Sequence, residues 1–109
     1  MKTVDFPQGT LEMLILRVLA NGANHGFGIA QQIHLLSKEV LRVEEGSLYP
    51  ALHRMQERGW IKSEWGQTEN NRRAKYYQLT AIGKKRLGTE RDSWETLANA
   101  ISDVLGERQ

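Results

Sequence analysis

Apolar residues recur at helical spacing through the first half of the chain. Leu11, Leu14, Ile15, Val18 and Leu19 follow the i, i+3, i+4, i+7, i+8 stripe of a helix with one buried face. This predicts a first helix over about 10–20, stopped by Asn21-Gly22, where glycine can take a positive φ. A turn follows at Ala23-Asn24-His25-Gly26. Phe27, Ala30, Ile33 and Leu36 then predict a second helix over about 27–37. Leu41-Arg42-Val43 alternates briefly and reads as a minimal strand. Leu48, Ala51, Leu52 and Met55 form the stripe of a third helix over about 45–58, closed by Gly59.

Beyond Gly59 the period changes from helical to twofold. Trp60 to Trp65 alternates, with Ile61 and Trp65 on one side; Lys75 to Leu79 alternates again, with Tyr77 and Leu79 together. The polar stretch 66–73 between them is rich in turn formers, so the segment reads as a β-hairpin with a long tip. Trp60 and Trp65 are expected to pack on the helices. Thr80 can cap a final helix running to about 105, in which Gly83 and Gly88 each cost up to ~1 kcal/mol. The fold class is mainly α with a small β-hairpin: a winged helix-turn-helix followed by a C-terminal dimerisation helix. It divides into 1–79, the winged unit, and 80–109, the last helix, with a short arm over 1–8 closed by Pro7.

At 109 residues the chain suits one small domain. No apolar run approaches the roughly 20 residues that cross a bilayer, so no membrane partner is expected. Met1-Lys2-Thr3-Val4-Asp5 lacks the apolar core of a signal peptide, and a cytoplasmic location is the expectation. There is no cysteine. The net charge of +2 conceals an asymmetry. Residues 46–86 hold nine Lys/Arg against three Asp/Glu, a local +6, and the remainder has six against ten, a −4. A concentrated basic segment is the electrostatic footprint of a polyanion partner, although a solvated basic face has the same composition.

Position decides between these readings. On a wheel of about 100° per residue, the side of helix three opposite its apolar stripe carries Pro50, His53, Arg54 and Glu57. Ser47, Tyr49 and Arg58 flank it. Hydroxyls, imidazole and guanidinium suit phosphates and base edges. Arg72, Arg73 and Lys75 sit at or beside the hairpin tip, where they could reach phosphates or a minor groove. Double-stranded DNA is thus the expected partner, through Ser47, Tyr49, Pro50, His53, Arg54, Arg72, Arg73 and Lys75. The rival reading is a winged-helix module that binds protein without DNA. His25, His34 and His53 are dispersed, with no metal-ligand spacing, and His25 is expected to organise a turn. Glu44-Glu45 suits the positive N-terminus of helix three. No catalytic constellation, metal or cofactor is expected.

The last helix carries Trp94, Leu97, Ala98, Ile101, Val104 and Leu105 at helical spacing, after the winged unit is complete. A second copy of the chain is the expected partner for this stripe, the alternative being packing back onto helix one. Two indoles of Trp94 meeting near a two-fold axis could sandwich a planar aromatic small molecule; simple core packing of Trp94 is the alternative.

The residues resemble the PadR-type transcriptional regulators over about 9–105. The resemblance is carried by Gly9-Thr10-Leu11-Glu12, His25-Gly26-Phe27, and Glu45-Gly46-Ser47-Leu48-Tyr49-Pro50-Ala51-Leu52. It continues in Glu57-Arg58-Gly59-Trp60-Ile61 and Arg72-Arg73-Ala74-Lys75-Tyr76-Tyr77-Gln78-Leu79-Thr80, with Gly83 soon after. Phe27 stands where a tyrosine is common. The resemblance implies a homodimeric regulator, usually a repressor, whose reading helix and wing bind a palindromic promoter site. It also implies that the C-terminal helix makes the dimer and that a small ligand or other signal can release the DNA. The single short C-terminal helix matches the compact branch of the family.

Overall fold

The computed structural model describes residues 9–107, and the expected arm over 1–8 lies outside them. The element order is α1 (Thr10–Leu19), β1 (Asn24–His25), α2 (Gly26–Leu36), α3 (Glu45–Glu57), β2 (Ile61–Gln67), β3 (Arg73–Leu79) and α4 (Ala81–Leu105). The helices fall within about a residue of the limits that the apolar spacing predicts. One contiguous core joins α1, α2, α3 and the base of the hairpin. Ile15, Leu16, Ile29, Leu48, Leu52, Met55 and Ile61 are its largest fully buried side chains. Each such burial contributes roughly 1.5–3 kcal/mol before entropy is subtracted.

The short strand lies elsewhere than the alternation at 41–43 predicts. The sheet is antiparallel with order β1-β3-β2, and its third strand is the polar pair Asn24-His25, matched to Tyr77 and Tyr76. Strand character at 41–43 is confined to a single bridge at Leu41. The reason is local. Ser37 Oγ donates to the His34 carbonyl and accepts from the Leu41 N–H (2.9 Å), while His34 Nδ1 bonds the Leu41 carbonyl (3.0 Å). These bonds fold the α2–α3 link tightly, with Lys38 and Glu39 in left-handed backbone (φ 56 and 66). β1 in turn launches α2, since His25 Nδ1 accepts from the Gly28 N–H (3.1 Å) as its N-cap.

The stripe of α2 also differs from expectation. Ile29 and Ile33 are buried with Ala30 half-buried against the core, but Phe27 and Leu36 point to solvent at 69% and 60% exposure. Phe27 lies on the far side of α2 from Ile29, and Leu36, on the side of Ile29, stands at the C-terminal end of the helix.

The junction after β3 is tied to the end of α3. Thr80 Oγ1 donates to the carbonyls of Gly59 and Trp60, and accepts from the Gly83 N–H (3.0 Å) to cap α4. Gly83 lies directly on the Trp60 carbonyl, and a Cβ there would collide with that oxygen. The first turns of α4 therefore belong to the winged core, with Leu87 packed against it. Beyond them α4 continues to a left-handed Gly106 (φ 74).

Two outcomes follow. Gly88 faces open space, so Gly88→Ala should raise stability by about 0.5–1 kcal/mol through helix propensity. Gly83→Ala should instead lower it by about 1–3 kcal/mol, because overpacking outweighs the same propensity gain. Thermal unfolding followed by circular dichroism checks both, and equal shifts of one sign would contradict the close approach. The second outcome concerns Tyr77, whose phenol burial raises above its ordinary 10.0, with Tyr49 nearby adding to the rise. Below that pH the phenol is neutral folded or unfolded. Above it the unfolded chain ionises first, so stability is lost as pH rises through the folded value. A spectrophotometric titration should show one of the three tyrosines ionising last, and Tyr77→Phe should abolish that last step.

Candidate nucleic-acid interface

α3 presents its polar side because Leu48, Ala51, Leu52 and Met55 turn the opposite side into the core. Ser47, Tyr49, Pro50 and His53 are all exposed along it. Pro50 supplies no N–H to the carbonyl four residues earlier, which leaves the first turns of α3 free of one rung. His53 Nε2 lies 3.5 Å from Glu57 on the next turn, a solvent-exposed pair. Glu45 lies in the first turn of α3, and the N-cap Glu44 makes no side-chain capping bond and pairs with Arg42 at 3.7 Å.

Arg54 takes a different position from its neighbours. Its guanidinium lies 3.7 Å from the carboxylate of Glu12 on α1, whose Oε1 is buried without a hydrogen-bond partner. Arg54 is therefore only half-exposed and is drawn toward the core, where it meets a charge that would otherwise be costly to bury. The wheel places Arg54 outward; only the tertiary contact with Glu12 turns it back.

The hairpin is longer and its tip tighter than the polar stretch predicts. β2 and β3 pair from Ile61↔Leu79 to Gln67↔Arg73, so Arg73 is a strand residue. The tip is closed by Thr68, whose N–H donates to the Arg72 carbonyl (2.8 Å) and whose Oγ1 accepts from the Arg72 N–H (3.2 Å), with Asn71 at φ 60. Arg72, Arg73 and Lys75 are exposed. Trp65 does not pack on the helices. It is 56% exposed and lies beneath Arg73 and Lys75. Trp60, by contrast, is half-buried at the hairpin base between the guanidinium groups of Arg58 and Arg86.

These elements border one groove of about 1060 Å³ between the start of α2, α3 and the hairpin. Phe27, Tyr49, Trp65, Arg72, Arg73 and Lys75 all line it. Tyr49 reaches it by crossing Gly26, where a Cβ would stand 2.7 Å from the Tyr49 hydroxyl oxygen. The structure thus brings Tyr49 together with the wing cations. Ser47, Pro50 and His53 lie on the same exposed side of α3 but not in the groove lining. Phe27 and Trp65 are the groove residues that sequence reasoning assigned to packing. Their apolar character pointed inward; the cross-strand register of Trp65 with Lys75 was the signal that placed it among the cations.

In α4, Trp94, Leu97, Ile101, Val104 and Leu105 are all exposed and Ala98 is half-buried. Among the described residues, the packing of α4 on α1 leaves this stripe uncovered. No described helix is long and apolar enough to cross a membrane.

Residues 15–89 match the profile of the family described as "Transcriptional regulator PadR-like family". The chain is 32% identical over 102 residues to the transcriptional regulator Rv3488 of Mycobacterium tuberculosis, covering 94% of this chain and 89% of that one. Among solved structures, a transcriptional regulator from Clostridium thermocellum superposes with a TM-score of 0.80 at 30% identity, over 88% of this chain and 90% of that one. A PadR family transcription regulator from Clostridium difficile superposes with a TM-score of 0.76 at 30% identity, over 89% and 99%. With its helices and three-stranded sheet in the matching arrangement, the chain belongs to the PadR-like family of transcriptional regulators, which are DNA-binding proteins and not enzymes.

Proposed function

We propose that the chain acts in the cytoplasm as a homodimeric repressor, seating α3 and the wing of each copy on the two halves of a palindromic promoter site. The observation that carries this reading is the shared groove, where Tyr49 and the cations Arg72, Arg73 and Lys75 converge. A cationic rim of this kind suits the dense, regular charge of a duplex backbone. Ser47, Tyr49, Pro50 and His53 serve base edges and the nearby backbone. Arg72, Arg73 and Lys75 serve phosphates. Arg54 serves through its tie to Glu12, which sets the α3 backbone against α1.

The dimer follows from α4. Leu97, Ala98, Ile101, Val104 and Leu105 continue past the winged unit, and Trp94 stands at the start of the stripe. A two-fold contact along this stripe would bury it twice, and symmetry would present two reading helices to two half-sites. The division at 79/80 is thus one of role, DNA binding before it and dimerisation after it, although the first turns of α4 still seat on the winged unit. Two copies of Trp94 near the axis would offer flat faces to a planar aromatic ligand, whose binding would alter the spacing of the reading helices and release the DNA.

Arg72→Ala with Arg73→Ala should weaken binding to every duplex and flatten the salt dependence by roughly 0.9 for each phosphate no longer neutralised. Tyr49→Ala or His53→Ala should instead cost about 1–3 kcal/mol on the selected site and little on random DNA. Fluorescence anisotropy on genomic fragments recovered by selection, repeated over a range of salt, checks both. An unchanged slope in the double variant would remove the wing from the interface. For the dimer, Ile101→Glu with Leu105→Glu should yield a folded monomer that binds the operator weakly. A native chain that sediments as a monomer would refute this.

A further inference from the structure

We propose that Trp65 is a positioning residue for DNA binding, acting through Arg73 and Lys75. The inference rests on the reading of the groove as the DNA interface. Trp65 occupies the same hairpin face as Ile61 and Tyr77, both buried in the core. Strand alternation continues that face outward past the body of the domain, so the indole overhangs the groove instead of filling the core. It is directly opposite Lys75 in register and diagonal to Arg73. The Arg73 guanidinium carbon sits 4.5 Å from the ring centroid and the Lys75 ammonium 5.6 Å from it. Both distances lie within cation–π range. The ion pairs of the described residues involve neither cation. The indole thus lies against both charges at once, and it satisfies them without neutralising them.

The physical consequence is preorganisation. A long cationic side chain that must be ordered on binding gives up rotamer freedom at that moment. An indole that already holds the guanidinium flat removes part of that cost and leaves the guanidinium N–H edges free for phosphate. A carboxylate could also fix Arg73, but it would cancel the charge that the DNA needs. This explains why a large aromatic side chain stays 56% exposed on a strand.

The test is a cycle of four proteins: the native chain, Trp65→Leu, Arg73→Ala with Lys75→Ala, and the triple variant. A random-sequence duplex is the probe, and circular dichroism verifies the fold of each. Trp65→Leu keeps an apolar side chain but removes the π face. It should weaken binding roughly three- to tenfold while keeping the native salt slope, because the charges remain. Trp65→Phe should restore most of the loss. In the Arg73→Ala, Lys75→Ala background, Trp65→Leu should have no further effect. An equal loss in both backgrounds, or no loss in the native one, would overturn the proposal while leaving DNA binding intact. A native chain with no salt-dependent affinity for any duplex would overturn both the interface and the role of Trp65.

Discussion

The burial of one face of α3 is the constraint on which the rest depends. Leu48, Ala51, Leu52 and Met55 are almost wholly enclosed by α1, α2 and the start of β2. They fix the rotation of α3 about its own axis, and with it the identity of every side chain that points away. A turn of one position would bring His53 inward and expose Leu48 and Met55. The Glu12–Arg54 pair adds a second restraint from α1, one with a direction, since it joins a buried carboxylate to a guanidinium on the flank of α3. Helix, core and outward chemistry are one object here.

The wing is held in the same manner at its base and released gradually toward its tip. Ile61 and Tyr77 lie in the core, Thr80 ties the return strand to the end of α3, and β1 closes the free edge of β3. Further out, side chains no longer meet protein on the groove side, and the stabilising contacts change from apolar packing to aromatic–cation pairs. Tyr76 strengthens the other face. Its ring packs over Gly66, where a Cβ would stand 2.8 Å from it, and its hydroxyl donates to the Gln67 carbonyl (2.9 Å). Arg73 and Lys75 therefore project from a braced strand, and Arg72 from a turn closed by Thr68.

α4 has two roles along its length. Its first turns complete the winged unit through the Thr80 cap, the close seat of Gly83 and the packing of Leu87. Its second half carries an apolar stripe that the described residues leave open. A helix of 25 residues extends about 37 Å at 1.5 Å per residue, well beyond the small core that anchors it. The anchored end gives the helix a fixed direction relative to α3.

Much of this was legible in the sequence, because periodicity reports local burial. The stripes of α1 and α3, the switch to twofold alternation at Ile61, the Thr80 cap and the motif residues around Glu45–Leu52 fixed the element order and the family. Position on an element, however, does not reveal what stands opposite. Phe27 and Trp65 have the composition of core residues and lie in the groove; Arg54 has the composition of a surface residue and turns toward Glu12. Asn24-His25 has no strand pattern, yet it pairs with β3 because α2 begins there and brings the edge within reach. Local physics determined the helices, the hairpin and the stock of cations and aromatics. Tertiary structure alone decided which of them share a groove, because that depends on the register of two strands and the rotation of one helix, and both are set by contacts between residues far apart in the chain.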